Sequence, residues 1–243
     1  MSAMDEDMAF WAQRQLEDHN IDVRLATTVV GFEEPTRGED ALASAVLLDT
    51  GDRLPTDLVI LSMGVHPEVG LASEAGLDVG DLGGIRVNQH MRTDDPHIWA
   101  VGDAIEVRNP VTQDWSLIPL AGPANRQGRV AADNIMGRPS RYRGTWATSV
   151  VRVFDLTFAA TGLSERLLRR AGIAYETVHV HPLSHVGYYP GAELLDMKLV
   201  FSAEDGTIYG AQVVGDSSAA RRLDVLAAAI QGGMDVDDVA QLE

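Results

Sequence analysis

Asp103 follows Gly102 at the end of a short apolar run, Ile98, Trp99, Ala100 and Val101, which is itself preceded by the polar turn Thr93-Asp94-Asp95-Pro96-His97. A continuous apolar run between turn residues is the pattern of a buried strand. Gly102 has no Cβ and lets a ligand approach the backbone. A carboxylate just past a strand's carboxyl end stands where open α/β sheets bind ligands. There Asp103 can accept a hydrogen bond from a polyol or ribityl hydroxyl; the same tetrapeptide also suits an ordinary strand closing in a Gly-Asp turn. Downstream, Ile118-Pro119-Leu120-Ala121-Gly122-Pro123-Ala124 opens a helix, with Pro123 just inside its start and Gly137 after its last apolar residue, Met136. Small residues in a first turn let a large flat ring lie against the backbone amides, at the positive end of the helix dipole. They equally allow tight helix packing. The third group is phenolic: Tyr188 and Tyr189, in Gly187-Tyr188-Tyr189-Pro190-Gly191-Ala192, can hydrogen-bond a sulfur or stack on an adenine, or form a rigid aromatic turn against the core.

Other reactive side chains carry less. His179, His181 and His185 read as surface or loop histidines, because no neighbouring residues complete a usual metal-ligand set; no metal is expected. Arg221 and Arg222 read as exposed helix arginines. Cysteine is absent altogether, so this chain supplies no disulfide, thiolate metal site or thiol nucleophile.

The elements that must position these groups come in a definite order. Residues 4–16 carry Met4, Met8, Trp11 and Leu16 at helical spacing, with Ser2 and Asp5 as a capping pair and Asn20 as the stop. Strands are predicted at residues 21–25, 27–32, 45–48 and 53–54, the last two joined by a hairpin at Asp49-Thr50-Gly51-Asp52, with residues 33–40 a loop. A strongly apolar strand follows over residues 57–65 and turns at Met63-Gly64. A short helix is predicted over residues 69–75, and Gly83-Gly84 reads as a flexible joint and domain boundary. Residues 104–117 read as a polar insertion. From Gly144 the pattern is β-rich: strands at 146–154, 158–161, 175–181, 194–201 and 208–214, a helix capped by Ser164 and stopped by Gly172, a longer helix over 219–231, and a last one from Asp235.

A chain of 243 residues with 45% hydrophobic and 23% charged residues has the composition of a soluble globular protein with one large core or two smaller ones. With 36 acidic against 19 basic residues, a net charge of −17 disfavours nucleic acid and anionic membrane surfaces as partners. No apolar run has the length of a membrane span, and the acidic N-terminus does not read as a signal peptide, so a cytoplasmic location is expected by default.

Thr93, the spacer, the apolar strand and Ala100-x-Gly102-Asp103 together resemble the second flavin-binding motif of the FAD-dependent pyridine nucleotide-disulfide oxidoreductases. The tyrosine loop, with Thr161-Gly162-Leu163-Ser164-Glu165, narrows the resemblance to coenzyme A-disulfide reductases and NADH oxidases. The resemblance implies an α/β and α+β fold: a remnant of the NAD(P)-binding domain over 1–80, the C-terminal part of the FAD-binding domain over 81–143, and a dimerisation domain over 144–243 that forms a homodimer. It implies that Gly102 and Asp103 hold the ribityl-diphosphate part of FAD, and that Pro119, Leu120, Ala121 and Ala124 meet the flavin's pyrimidine edge. Met63 and Gly64 would lie near the nicotinamide nucleotide, or Gly64 merely ends a strand. One of Tyr188 and Tyr189 would reach across the dimer to the partner's redox site, where a small-molecule disulfide or oxygen is the acceptor for electrons passed from NAD(P)H through FAD.

Departures from the family pattern are equally plain. No two glycines are separated by one residue, so the Gly-x-Gly-x-x-Gly dinucleotide fingerprint is absent, as is the family's redox cysteine. Sequence ahead of Met1 would supply them, and a further tyrosine would follow Glu243. The expectation is therefore the C-terminal portion of such an oxidoreductase, with half of the FAD site and inactive alone. The competing expectation is a non-catalytic dimerisation or binding module derived from the family.

Overall fold

The computed structural model describes residues 3–33 and 45–242. Ser2 of the expected capping pair and most of the loop expected at 33–40 lie outside the described residues. The chain divides into two compact units: Leu16–Val65, and Met1–Gln15 together with His66–Glu243.

The smaller unit is an antiparallel sheet of β1 (Val29–Glu33), β2 (Ala45–Leu48) and β3 (Arg53–Pro55) in that order. The turn between β2 and β3 is the one read from Asp49-Thr50-Gly51-Asp52: Gly51 takes φ +88°, and Leu48 N–H donates to the Asp52 carbonyl at 3.0 Å. Two expected strands are not strands. Residues 21–25 run irregularly after helix α1 (Glu6–Asp18), and residues 57–65 have no ladder partner among the described residues, leaving Ile60 82% and Met63 85% exposed. Apolar composition supplies side chains to bury, but a strand forms only against a neighbouring backbone edge, and none is offered here.

In the larger unit the short helix α2 (Gly70–Glu74) leads to a three-stranded sheet, β4 (Ile85–Arg86), β5 (Ile105–Arg108) and β6 (Trp115–Leu117). β4 and β5 are parallel, and β5 and β6 antiparallel. Thus the segment read as a polar insertion contains two strands; Glu106, Arg108 and Asp114 concealed them. Gly83-Gly84 is not a loose joint. Gly80 N–H donates to Gly84 O at 2.8 Å, and Gly83 N–H to Gly80 O at 3.0 Å. The turn wraps the buried Glu106, whose Oε1 accepts from Leu82 N–H at 2.8 Å and Gly84 N–H at 3.1 Å. A Cβ on Gly80 would fall 2.0 Å from Glu106 Oε2, so these glycines exist to admit a carboxylate. Residues 98–101 are extended but bridge only through Trp99 to Arg92. Helix α3 (Ala121–Ile135) packs Val130 and Ala131 onto Val87, Met91, Ile105 and Val107.

The β-rich part is one antiparallel sheet in the order β7-β8-β11-β10-β9, from β7 (Ser149–Val153), β8 (Leu156–Gly162), β9 (Glu176–Val180), β10 (Asp196–Phe201) and β11 (Ile208–Gly215). Between β8 and β9 lies α4 (Glu165–Ala171), stopped by Gly172 at φ +68°. Helix α5 (Ser218–Gly232) sets Ala219, Leu223 and Leu226 against Ala159, Ala211 and Val213 on one face. Alternation along the strands sends Phe158, Ala160 and Val214 to the other face, where Met4, Met8 and Ala12 of the N-terminal segment cover them. The helix assigned by resemblance to a nucleotide-domain remnant thus packs, through its first half, on the C-terminal sheet. The last helix, α6 (Val236–Ala240), opens with a capping box between Asp235 and Asp238.

Candidate functional site

Gly102 takes φ +87°, a conformation that L side chains resist. Its N–H donates to Gln127 Oε1 at 2.8 Å, and a Cβ built on it would lie 4.0 Å from Ala124 Cβ. Gln127 is buried in α3, so one side-chain amide ties the end of the 98–101 run to the first turns of the helix. Thr93 closes the other end: its N–H and Oγ1 each approach Ile98 O at 3.0 Å. Thr93 and Gly102 thus fix the two ends of the run, and Asp103 follows Gly102 as an exposed carboxylate.

The helix start is open. Leu120 is the N-cap in extended conformation and offers no side-chain cap. Ala121 and Gly122 are exposed, and amides in a first turn have no intrahelical acceptor. Exposed donors at the positive helix end beside a free carboxylate suit a ligand carrying both a hydroxylated chain and an electron-rich ring. Pro119 and Leu120 also line a cavity of about 670 Å³ with Trp115, Trp146 and Leu163. Asp103, Ala121 and Ala124 do not line that cavity; they form the outer surface at the strand–helix junction.

The tyrosine loop is held at its neck. Ser184 N–H donates to Glu193 O at 2.7 Å, Glu193 N–H returns a bond to Ser184 Oγ at 3.2 Å, and Leu183 bridges Leu194. His185 contacts Tyr189 edge-on, ring centroids 5.9 Å apart. Tyr188 is 90% and Tyr189 65% exposed, so neither packs into the core and the loop presents both phenols outward. Met63 and Gly64 lie in the smaller unit; Met63 is exposed and Gly64 takes φ +90° with open space around it.

His179 and His181 each pair with a carboxylate, to Asp7 at 2.9 Å and to Asp196. They are exposed side chains in ion-pairing positions and do not converge on one point.

What the sequence reading missed is a buried charge cluster. Lys198 on β10, fully buried, is the chain's sole lysine. Its Nζ lies 2.8 Å from Asp7 Oδ2, 3.2 Å from Asp5 Oδ2 and 2.5 Å from Glu165 Oε1. Gln212 donates to the same Asp5 oxygen, Oδ2, at 2.6 Å, and Tyr175 donates to Glu165 Oε2 at 2.7 Å. The three carboxylates have the spacing of a cation site, but the ammonium fills it. Burial works to raise the Asp7 and Glu165 pKa values; hydrogen bonds from Lys198, with His179 and Tyr175 respectively, outweigh it and leave both lowered. Burial likewise works to lower Lys198, and its bonds to Asp7 and Glu165 outweigh that and leave it raised. The same cluster corrects the capping of α4. Ser164 occupies the N-cap, but its hydroxyl has no partner, and Asp5 Oδ2 accepts the Glu165 N–H at 3.3 Å instead. A lysine flanked by Met197, Leu199 and Val200 in an otherwise apolar strand was the available signal.

The family model described as pyridine nucleotide-disulphide oxidoreductase matches residues 1–128, and that of the family's dimerisation domain matches residues 148–242. The chain belongs to this family, which is FAD- and NAD(P)H-dependent. Among curated relatives, an NADH oxidase of Methanocaldococcus jannaschii is 33% identical over 99% of this chain and 52% of its own length. A coenzyme A disulfide reductase of Staphylococcus epidermidis is 29% identical over 99% and 52%. Among solved structures, reduced Bacillus anthracis CoADR-RHD superposes with a TM-score of 0.94 at 45% identity, covering 100% of this chain and 42% of that one. An NAD-dependent persulfide reductase from A. fulgidus gives 0.91 at 34%, covering 99% and 44%. The chain spans about half the length of the curated relatives it matches. Among the described residues no helix is long and apolar enough to cross a membrane.

Proposed function

We propose that this chain carries half of the FAD site and the dimerisation face of an oxidoreductase that passes electrons from NAD(P)H to a disulfide of the coenzyme A type or to oxygen. The domain reading goes with it: residues 1–80 from the nucleotide-binding domain, 81–143 from the FAD domain and 144–243 from the dimerisation domain. The observation that carries the proposal is the seating of Gly102 on Ala124 and Gln127 of α3, with the exposed Asp103 as the next residue.

FAD supplies the electron-carrying ring. This chain's residues bind and orient: Asp103 accepts hydroxyl hydrogen bonds from the ribityl chain, and the Ala121 and Gly122 amides are the donors where the reduced ring holds negative charge, while Leu120 and Ala124, whose amides bond Ile118 O and Leu120 O, shape the turn. Met63 and Gly64 border the nicotinamide nucleotide. One of Tyr188 and Tyr189 reaches across a homodimer to the second subunit and hydrogen-bonds the acceptor there.

The test is an FAD titration of the purified chain, read by quenching of flavin fluorescence. Asp103→Ala weakens binding about tenfold or more, the size of one charge-assisted hydrogen bond. Identical affinity in wild type and Asp103→Ala refutes the assignment. A second reading has its own support: with no cysteine and no Gly-x-Gly pair, the chain also suits a non-catalytic dimerisation module. That reading predicts a stable dimer with no FAD binding at all.

A further inference from the structure

Behind α3 lies a cavity of about 490 Å³ whose lining includes Arg126, Arg129, Arg141 and Arg143, together with Tyr142 and Thr145, and no carboxylate. All four arginines are exposed. None makes an ion pair or a side-chain hydrogen bond with any described residue. Several other arginines are partnered, as Arg24 with Asp22 and Asp52, Arg53 with Glu33, and Arg169 with Glu165. Two of them stand one helical turn apart on α3 and two flank a single residue of the following segment.

Tyr142 supplies an independent observation. It sits between Arg141 and Arg143, 8% exposed. Its hydroxyl is buried and has no hydrogen-bond partner among the described residues. Burial raises its pKa, so it remains a proton donor at neutral pH. Guanidinium groups match phosphate oxygens with paired donors and lose less hydration than ammonium groups in doing so.

We propose that this cavity is a binding site for a phosphate-bearing anion of two or more negative charges, separate from the Gly102–Asp103 junction and from the tyrosine loop. Its chemistry is that of an inorganic pyrophosphate or the diphosphate of a nucleotide. The arginines supply the charge and Thr145 and the Tyr142 hydroxyl border the anion.

The experiment is calorimetric titration of the full chain at low ionic strength with inorganic pyrophosphate, and separately with ADP. The expected result is saturable binding of one anion per chain with Kd at or below about 1 mM. The Arg126→Gln, Arg143→Gln double variant weakens it about tenfold or more, while Arg152→Gln on β7 leaves it unchanged. Circular dichroism and the unliganded thermal midpoint verify that both variants fold. Binding of ADP at least as tight as pyrophosphate identifies a nucleotide diphosphate, and binding of pyrophosphate alone an inorganic anion; both support the site. Absence of saturable heat with either ligand overturns the proposal. So does equal affinity in the double variant, and so does an equal loss in Arg152→Gln, which would reduce the effect to net charge.

Discussion

Lys198 shows what one buried charge does for this chain. Its ammonium, hidden in β10, balances three carboxylates, two of them from the N-terminal segment. Removing one member of a buried ion cluster leaves the others uncompensated, at a cost of about 3–5 kcal/mol. Asp7 is half exposed, so Lys198→Met belongs at the low end of that range. Chemical denaturation should give a loss of about 3 kcal/mol, part of it recovered by adding Asp7→Asn; a loss under about 0.5 kcal/mol would mean that the cluster is idle. The pH dependence follows from the signs. Asp7 and Glu165 have folded pKa values below their unfolded ones, so their contribution is present above the unfolded value and disappears as pH falls through the folded one. Lys198 has a raised folded pKa, so its contribution is complete below the unfolded value and disappears as pH rises through the folded one. Stability from this cluster therefore holds across neutral pH, fading below about pH 4 and above about pH 10.5. A thermal-midpoint profile of Lys198→Met should lack both flanks relative to wild type.

At the scale of elements, the strongest packing constraint is the crossing of β8 and β11. A Cβ on Gly162, at φ +77°, would lie 2.2 Å from Tyr209 O, and one on Gly210 would lie 2.3 Å from Leu163 O. Gly162→Ala combines a left-handed backbone with a backbone clash, and each of these costs about 1–3 kcal/mol. The expected loss is about 2–5 kcal/mol by denaturant titration; a loss under about 1 kcal/mol would mean that the two strands separate freely. Gly172→Ala, also left-handed but with open space around it, should cost only about 1 kcal/mol. These elements were legible in the sequence because the signal is local: β8 and β11 are almost continuously apolar and buried runs between turn residues, and α5 carries its helical period in its own residues. Residues 57–65 and 98–101 misled for the opposite reason, since their apolar content anticipates a ladder that no described neighbour provides. β5 hid because its central residue, Glu106, is a carboxylate buried by the Gly80–Gly84 turn, an environment no periodicity announces. The turn at Gly102 and the start of α3 were each legible because turn-glycine and helix-start chemistry are short-range; their pairing came from the family resemblance. The Asp5–Lys198 contact spans nearly the whole chain, and neither residue alone gives notice of the other.

At the scale of the whole molecule, the match to the dimerisation family over residues 148–242 meets an apolar surface that the isolated chain leaves in water. β7 and β9 are the two edges of the five-stranded sheet. They expose Val150 at 50%, Val151 at 48%, Val178 at 40% and Val180 at 47%, with Leu194 at 65% beside the tyrosine loop. Exposed apolar side chains along a strand edge suit an interface, and the unpaired edge adds free backbone donors and acceptors to it. A stable dimer needs about 1,200 Å² or more of buried surface, which one edge alone does not supply; the loop and an adjoining edge must bury together. Light scattering after size exclusion should therefore report twice the chain mass at micromolar concentration. Val178→Asp with Val180→Asp, or Val150→Asp with Val151→Asp, should yield monomer, because an aspartate in a desolvated interface costs several kcal/mol. The exposed run containing Ile60 and Leu61 lies in the other unit and offers a rival apolar contact, so Leu61→Asp is the discriminating control. If the dimer survives both edge pairs and dissociates in Leu61→Asp, the association belongs to the smaller unit, and the proposed reach of Tyr188 or Tyr189 across a dimer loses its basis.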